Sequence, residues 1–560
     1  MIEEKLSPLI LEALDRAAPE LGLTDLPTEV KLERPPQKDM GDFATNIALS
    51  LASRAGRTAR EVAEAIVRYL PEADFISDVR VAGPGFINFR VVHLWLYEVL
   101  RRVVSEGEAY GRGERRGERI QVEYVSVNPT GPLHVGHGRN AAIGDALGSV
   151  LDCAGYDIER EYYLNDYGTQ MDLFGQSIEA RYLELHGRDA SVPEGGYHGA
   201  YVKELAREIT EEVGDSLVDA SPEERRTKLL EEGYRLVLRE VRATVERFGV
   251  RFDSWFSERT LHRAGAVDQA VAQLREAGHV YESEGAIYFR ATTFGDEKDR
   301  VLIRSNGEPT YFASDCAYLI DKFNRGFDRL IYVWGADHHG TVRRLQGAIE
   351  ALGYKPDTVE FLLIQLVGLK RGGEPVRLSK RTGDIVTLDE LLDEVGTDAA
   401  RYTLLTRSND SPLEFDIEVV KRQSLDNPVY YVQYAHARIA SIVRHAQDQG
   451  VRIRPIDEVE LERLSAESEL ELLWHIAEWP EEVETAAALR APYRLTRYAE
   501  DLAARFHRFY TECRVVTDDQ ELTQARLWLC TATKQTVANV LGLLGVSAPE
   551  SMERIEGDEG

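Results

Sequence analysis

The sequence has few cysteines and no long apolar run. Four cysteines lie scattered through 560 residues, without a Cys-x-x-Cys pair. This spacing argues against a disulfide framework and a cysteine-based zinc site, so we expect no protein-bound metal or zinc. No apolar run is long enough to cross a bilayer, and the first residues lack a signal-peptide pattern. We therefore expect a cytoplasmic protein with no membrane partner.

Positive charge is also scarce. Lys and Arg number 67 against 96 Asp and Glu, a formal net charge of −29 at pH 7. Nucleic-acid binders usually carry a basic surplus, because phosphate neutralisation dominates their affinity. The balance argues against a general nucleic-acid coat protein. A selective RNA enzyme stays open, because basic residues cluster at 112–119, 343–344, 370–371 and 377–381.

Length and patterning divide the chain into three predicted domains. Residues 1–112 mix helical periodicity with short strand-like pieces, which predicts a small α+β domain. Residues 113–410 alternate strand-like runs with helices, which predicts a Rossmann-type, doubly wound α/β domain. Its predicted strands include the runs at 120–127, 329–334 and 361–369. A charged, helix-rich stretch at about 172–290 is interpreted as an insertion outside its sheet. Residues 411–560 show only helix-spaced apolar residues, as in a predicted helix at 427–446, which predicts an all-α bundle.

Residues 128–137 (NPTGPLHVGH) are the most informative stretch. They follow a strand-like run at 120–127 and precede a predicted helix at 140–151. His134 and His137, three residues apart, face one side of that helix at its start. A helix N-terminus offers N–H donors and a positive dipole end, and Gly136 permits close approach of a ligand. The pattern suits a nucleoside triphosphate, although two histidines at such a junction are as often structural.

A second phosphate-handling element lies downstream. Residues 377–383 (RLSKRTG) form a basic loop before a predicted helix at 389–395. Alone, such a segment is more often a solvated basic turn. Together with the histidine motif, it indicates the other half of an ATP site.

The two segments resemble the His-Ile-Gly-His and Lys-Met-Ser-Lys signatures of class I aminoacyl-tRNA synthetases. Further segments resemble arginyl-tRNA synthetases and follow the family order almost end to end: 122–128, 164–170, 310–315, 332–338, 398–401 and 427–438. The resemblance implies activation of L-arginine with ATP to arginyl-adenylate and transfer of arginine to the 3′ end of tRNA(Arg). It also implies Mg²⁺ with the nucleotide, and we expect a monomer.

Amino-acid activation is carboxylate attack on the α-phosphorus of ATP. It requires positioning and positive charge rather than a covalent nucleophile. By resemblance, His134 and His137 contact the phosphates, and Asp337 and His338 lie where class I enzymes bind the ribose and adenine. The nucleotide-binding set that the resemblance implies is His134, Gly136, His137, Asp337, His338 and Lys380.

The second signature loop is implied to complete the catalytic set. Lys380 brings a mobile cation to the β- and γ-phosphates, assisted by Ser379 and Arg377. Arg377 replaces the first lysine of the family signature; the charge survives, so we expect activity. Some relatives without this signature carry a compensating lysine where this chain has Gly131, which is consistent with a working Lys380.

Arginine recognition requires a planar carboxylate partner for the guanidinium, because bidentate pairing gives strength and selectivity over lysine. By resemblance, Tyr311 and Asp315 hold the side chain from one face of a helix. Glu123 and Asn128 flank the α-ammonium and the α-carboxylate. Without the resemblance, Tyr311 would be a core aromatic and Asp315 a surface acid.

The resemblance also implies two tRNA-binding regions. The N-terminal domain of the family contacts the tRNA elbow, and the helical domain binds the anticodon loop. On the helical domain, Tyr431, Gln433 and Tyr434 face that loop, where aromatic stacking and hydrogen bonds hold unstacked bases. Residues 553–560 extend beyond the point at which many relatives end.

The residues leave two other functions open. One is a synthetase for another amino acid, or a small-molecule adenylating ligase with the same histidine motif. The helical C-terminal region argues against the small-molecule ligase, and Glu123, Tyr311 and Asp315 favour arginine. The other is a non-catalytic tRNA-binding or regulatory protein derived from a synthetase. Retention of the two histidines and Lys380 counts against it, because drift first erases residues that only chemistry requires.

Overall fold

The computed structural model describes residues 2–35, 37, 40–376 and 386–552. The chain forms two compact units: one from 1–106, 450–477 and 509–532, the other from 107–449, 478–508 and 533–560. Spatial proximity defines these units, so the domain boundaries given by the sequence stay predictions. Among the described residues, no helix is both long and apolar enough to cross a membrane.

The helices are α1 (Ile2–Leu21), α2 (Ile47–Ala55), α3 (Ala59–Arg68), α4 (Leu94–Glu106), α5 (Val135–Cys153), α6 (Thr169–Leu185), α7 (Ala200–Val213), α8 (Pro222–Arg247), α9 (Glu258–Arg263), α10 (Ala266–Glu276), α11 (Tyr311–Asn324), α12 (His339–Ala351), α13 (Leu388–Val395), α14 (Thr397–Leu405), α15 (Ile417–Val420), α16 (Pro428–Asp448), α17 (Glu467–Ala477), α18 (Trp479–Ala488), α19 (Tyr493–Glu512) and α20 (Gln520–Leu544). The strands are β1 (Phe43–Thr45), β2 (Ile76–Ala82), β3 (Phe86–Val91), β4 (Arg119–Glu123), β5 (Asp157–Leu164), β6 (Ser254–Ser257), β7 (Val280–Ser283), β8 (Ala286–Phe289), β9 (Arg300–Ile303), β10 (Arg329–Gly335), β11 (Val359–Ile364), β12 (Val367–Arg371), β13 (Glu374–Pro375) and β14 (Leu413–Asp416).

The first unit contains a small antiparallel sheet in the order β1-β3-β2. Helix α3 covers it with an apolar face, and Thr58 and Glu61 form a capping box that fixes its start. Trp474 of α17 packs against Phe43 and Trp95, with ring centroids 5.3 and 5.1 Å apart. The strands and helices of residues 1–112 agree with the predicted α+β character of that region.

The second unit is built on a five-stranded sheet in the order β11-β10-β4-β5-β6, with every pair parallel. Crossover helices connect its strands, so the predicted doubly wound α/β fold is confirmed. From β4 the chain passes to β5 on one side, whereas β10 flanks the other side. A crevice opens at such a reversal, outside the carboxyl ends of the strands. The polar residues that follow β4 and β10 therefore meet at one edge.

Three local predictions need correction. The stretch at 172–290 is not wholly outside the sheet, because β6 within it pairs with β5. The apolar run at 361–369 is not one strand. It divides into β11, in the parallel sheet, and β12, in a separate sheet with β13 and β14. Strand β14 also places a short β element inside the region predicted to be all helical; beyond it, α16 to α20 confirm the helical prediction.

Candidate active site at the carboxyl edge of the parallel sheet

The histidine motif begins helix α5. His134 precedes the helix, and its Nδ1 accepts a hydrogen bond from the Gly136 N–H at 3.1 Å. The His134 N–H donates to Nδ1 of His137 at 3.2 Å, and the two rings stack with centroids 3.5 Å apart. Because both Nδ1 atoms accept, the neutral rings carry their protons on Nε2. Imidazole N–H donors thus join the positive end of the helix dipole, which suits a phosphate.

The described chain that follows the second signature lies beside the histidine motif. Three predicted residues lie outside the part of the chain that the structure describes: Arg377, Ser379 and Lys380. Where the described chain resumes, Thr387 forms an antiparallel bridge with His134, and the Leu388 N–H donates to the Leu133 carbonyl at 2.8 Å. The segment that begins α13 is therefore held against the histidine motif, although the two are distant in sequence.

Asp315 lies on the first turns of α11 without a protein partner. No side chain among the described residues forms a hydrogen bond or ion pair with its carboxylate. Burial raises the pKa of Asp315 to about 7; the Arg344 cation opposes this, and the charges of Glu258 and Glu123 add to it. An acid that is buried among other acids favours a cationic ligand.

Glu258 is a functional candidate that the sequence did not reveal. It is the first residue of α9, directly after β6, and is only 2% exposed. Its Oε2 is buried without a hydrogen-bond partner, and its Oε1 lies 3.4 Å from Nε2 of His262. Its position directly after a parallel strand could have indicated a site residue. Because 172–290 was interpreted as an insertion outside the sheet, that strand was not predicted. Glu258 and Asp315 give this edge two acids whose charges interact.

Aromatic side chains border these acids. Tyr311 is the first residue of α11 and is 43% exposed, so it is not a core aromatic. Its hydroxyl lies 3.9 Å from the position that a Cβ on Gly168 would take. Tyr167 stacks on His262 with centroids 3.7 Å apart, and Ser314 Oγ is 3.3 Å from Nε2 of the same imidazole. These contacts bring the 164–170 and 310–315 segments together.

Glu123, in contrast, already has a cationic partner. It ends β4, and its Oε2 accepts a hydrogen bond from Nζ of Lys322 at 2.5 Å in the interior. The ammonium of Lys322 also lies over the rings of Tyr318 and Tyr332, 4.2 and 3.9 Å from their centroids. Burial lowers the pKa of Lys322, and the Glu123 carboxylate opposes that effect. Glu123 is therefore held in one orientation before any ligand binds.

The remaining predicted ligand contacts lie along the same edge. Asn128 is partly buried between β4 and the histidine motif, and its carbonyl accepts from the Thr130 N–H at 2.8 Å. Asp337 and His338 follow β10; the side chain of Asp337 is 84% exposed, and the ring of His338 lies 5.5 Å from that of Trp334. The sheet edge thus gathers the predicted arginine- and nucleotide-binding residues that are described.

The predicted tRNA-binding residues lie on α16 and differ in their surroundings. The rings of Tyr431 and Tyr434 lie 5.0 and 6.1 Å from that of His507, and both tyrosines are partly buried. Gln433 is buried, and its amide donates to Asp398 at 2.8 Å and to the Ser547 carbonyl at 2.9 Å. The structure thus places Gln433 as a support of α16, and its contact with tRNA stays a prediction.

Three family models match the chain in sequence order. Residues 4–91 match the N-terminal domain of arginyl-tRNA synthetases, and residues 99–418 match the class I (R) catalytic domain. Residues 432–552 match the DALR anticodon-binding domain. The catalytic model spans more than half of the chain and includes the histidine motif, Asp315 and Glu258.

Complete proteins of the same family align over nearly the whole chain. An arginine–tRNA ligase of Moorella thermoacetica is 52% identical over 96% of this chain and 97% of its own. One from Heliobacterium modesticaldum is 49% identical over 98% of this chain and 99% of its own. The arginyl-tRNA synthetase structure from Thermus thermophilus superposes with a TM-score of 0.75 at 25% identity, covering 98% of this chain and 100% of that one. The chain therefore belongs to the arginyl-tRNA synthetase family, class I enzymes that join arginine to tRNA, as the sequence motifs predicted.

Proposed function

We propose that this chain forms arginyl-adenylate at the carboxyl edge of its parallel sheet and transfers the arginine to tRNA(Arg). The observation that carries the proposal is a pair of interacting acids at the same sheet edge as a histidine-capped helix. Among the described residues, Asp315 has no hydrogen-bond or ion-pair partner, and Glu258 Oε2 is buried without a hydrogen bond. A cationic amino acid suits the acids, and a nucleoside triphosphate suits the helix N-terminus. The two ligands would then lie side by side in the crevice.

For ATP, the proposal assigns the phosphates to Nε2 of His134 and His137 and to the N-terminal turn of α5. Stacked rings that are fixed by backbone hydrogen bonds require little reorganisation as charge develops on the phosphorus. Asp337 and His338, exposed after β10, take the ribose and adenine. Mg²⁺ enters with the nucleotide.

The loop that carries Arg377, Ser379 and Lys380 belongs to the same proposal. Thr387, in the described chain after this loop, forms a bridge with His134, which supports the assignment of the loop to the nucleotide site. Lys380 supplies that cation.

For arginine, the proposal assigns the guanidinium to Asp315 and Glu258, with Tyr311 at the pocket rim. Two carboxylates accept the forked N–H donors of a guanidinium, whereas a primary ammonium cannot pair with both in the same planar geometry. Glu123 and Asn128 hold the α-ammonium and α-carboxylate end. Because Lys322 occupies one oxygen of Glu123, the α-ammonium approaches the other oxygen of a carboxylate that is already oriented.

For tRNA, the proposal assigns anticodon-loop contacts to α16, through Tyr431 and Tyr434, and leaves Gln433 as a predicted contact whose amide now supports the helix. Residues 1–112 would contact the tRNA elbow. We propose that the enzyme acts in the cytoplasm as a monomer.

Aminoacylation of bulk tRNA with ATP–Mg²⁺ and each amino acid in turn tests the proposal. Arginine alone should be charged, and Lys380→Ala should abolish charging. Lys370→Ala is the matched control, since Lys370 lies on β12 and pairs with Glu414 at the surface. Charging of another amino acid would show that the acids do not form the amino-acid pocket. Tight tRNA binding without any charging would establish a regulatory protein instead.

A further inference from the structure

The turn after β4 has an unusual backbone. Val125 and Ser126 have φ angles of +65° and +42°, which lie in the left-handed region. Residues other than glycine rarely adopt this backbone conformation, and a β-branched residue such as valine does so least readily. Elsewhere in the described chain only Glu284 and Arg490 share this property among non-glycine residues, and they are isolated. Two consecutive residues with positive φ indicate that surrounding contacts hold the backbone in this conformation.

The turn connects the parts of the proposed site. It lies between Glu123, which ends β4, and Asn128, which precedes the histidine motif. Its course therefore sets the spacing between the amino-acid end of the site and the N-terminus of α5. A shift in the turn would displace all these groups relative to one another.

The side chain of Asn140 holds the turn from α5. Its Oδ1 accepts a hydrogen bond from the Val125 N–H at 2.6 Å, and its Nδ2 donates to the Val333 carbonyl of β10 at 2.9 Å. On the other side, Ser126 Oγ accepts from the Tyr163 N–H of β5 at 3.1 Å. One buried amide thus ties the exit of β4 to both α5 and β10.

Only an uncharged amide satisfies both partners of this bridge. A backbone N–H requires an acceptor, and a backbone carbonyl requires a donor. Aspartate would face the Val333 carbonyl with a second acceptor, and leucine would offer neither group. Asn140 therefore matches its two neighbours in a way that its closest isosteres cannot.

We propose that Asn140 is a positioning residue for adenylate formation, which enforces the left-handed turn at Val125 and so fixes Glu123 and Asn128 relative to the histidine-capped helix. The inference rests on the roles proposed above for those groups. Asn140 itself contacts neither substrate. It acts through the backbone.

Pyrophosphate exchange in the presence of tRNA, measured for Asn140→Asp and Asn140→Leu, tests this role. Misplacement of reacting groups by about 1 Å costs roughly 100-fold in rate, so kcat should fall by roughly 10- to 100-fold while the KM values change less. Asn539→Asp is the matched control. Its Nδ2 donates to the carbonyls of Gly107 and Tyr110, outside the crevice. The variant should therefore lower Tm and leave kcat unchanged. An unaltered kcat in both Asn140 variants would overturn the proposal.

Val125→Gly provides a rescue that a structural role does not predict. Glycine adopts positive φ at little cost, so the turn no longer needs the Asn140 hydrogen bond to hold it. Val125→Gly in the Asn140→Asp background should therefore restore kcat by about 10-fold. Because the buried valine side chain is lost, Tm should fall further in the same variant. Rates that follow Tm without recovery would overturn the proposal.

The wild-type specificity assay keeps the two proposals distinguishable. If the wild-type enzyme charges an amino acid other than arginine, the pocket assignment fails. The Asn140 variants would then be assayed with that amino acid, and their kcat would still decide the positioning role.

Discussion

Two buried clusters of charge in the second unit differ in whether the protein satisfies them. At the junction of α5 and α14, the fully buried guanidinium of Arg401 pairs with Asp145 and donates to the carbonyls of Leu544 at 2.7 Å and Phe248 at 3.0 Å. At the sheet edge, neither Asp315 nor Oε2 of Glu258 has a hydrogen-bond partner among the described residues. The protein therefore satisfies the first cluster, whereas the second leaves carboxylate oxygens available for the proposed arginine.

The space around the Arg401 guanidinium depends on a neighbouring glycine. A Cβ on Gly545 would lie 2.4 Å from the guanidinium of Arg401, so only glycine leaves room for it. Arg401 accordingly contacts the ends of α8 and α20 and the helix that bears the histidines. Satisfied buried charge of this kind serves architecture, whereas unsatisfied buried charge marks a binding site.

The largest effect is expected from breaking the completed cluster. Asp145→Asn should lower the free energy of unfolding by roughly 3–5 kcal/mol, because it leaves a buried guanidinium without its counter-ion. Asp152→Asn, on the same helix, breaks a surface pair with Arg112 and should cost about 1 kcal/mol or less. Chemical denaturation of both variants measures the difference. Equal losses would show that the Arg401 pair is not a stabilising centre.

The next effect concerns the incomplete cluster. Asp315→Asn should raise the KM for arginine roughly 10- to 100-fold, the equivalent of a charge-assisted hydrogen bond of about 1.5–3 kcal/mol. It should not destabilise the fold, because the described part of the chain gives the Asp315 carboxylate no hydrogen bond or ion pair to lose. Asp321→Asn on the same helix, which removes a pairing with Arg325 at 2.9 Å, is the control and should leave the KM unchanged. A normal KM in Asp315→Asn would place the pocket elsewhere.

A smaller effect follows from the pKa of Asp315, which burial raises to about 7. Below that pH the carboxyl is protonated and attracts a guanidinium less, so the KM for arginine should rise roughly 10-fold between about pH 8 and about pH 6. Initial rates of pyrophosphate exchange across this range measure the change. Asp315→Asn should remove the dependence, and its persistence in the variant would assign it to another group.

Raising the pH should strengthen arginine binding but lower the stability of the ligand-free enzyme. The folded-state pKa of Asp315 lies above its unfolded value of 3.8, so the native state binds more protons between these values. The carboxyl therefore destabilises the fold increasingly as pH rises from about 4 to about 7. Relative to wild type, Asp315→Asn should gain Tm over that interval and level off above it. A constant difference in Tm would contradict the assigned pKa.

Much of the architecture followed from local patterns. The predicted helix at 427–446 corresponds to α16, and the strand-like run at 329–334 corresponds to β10. The apolar run at 361–369 was misassigned, because periodicity does not show where one strand ends and another begins. The break at Gln365, whose N–H donates to the Asn409 carbonyl at 2.9 Å, depends on a partner that is distant in sequence.

The candidate site was predicted where motifs are local and missed where they are not. His134 and His137 lie in one short segment with a glycine between them, so the sequence alone predicted a phosphate-binding helix start. Glu258 lies in a charged, helix-rich stretch, where one acid looks like many others. Its significance comes from burial after β6, which only the pairing of β6 with β5 produces.

The sequence by itself determined the family, the α/β sheet with its helical C-terminal region, and the residue types of both signatures, because these depend on order and spacing along the chain. The tertiary structure decided which buried charges find partners. Asp145 and Asp315 are both acids on helices, but of the two only Asp145 forms an ion pair with a guanidinium among the described residues. Partnership depends on distances between segments that are far apart in sequence, and the path of the folded backbone alone sets those distances.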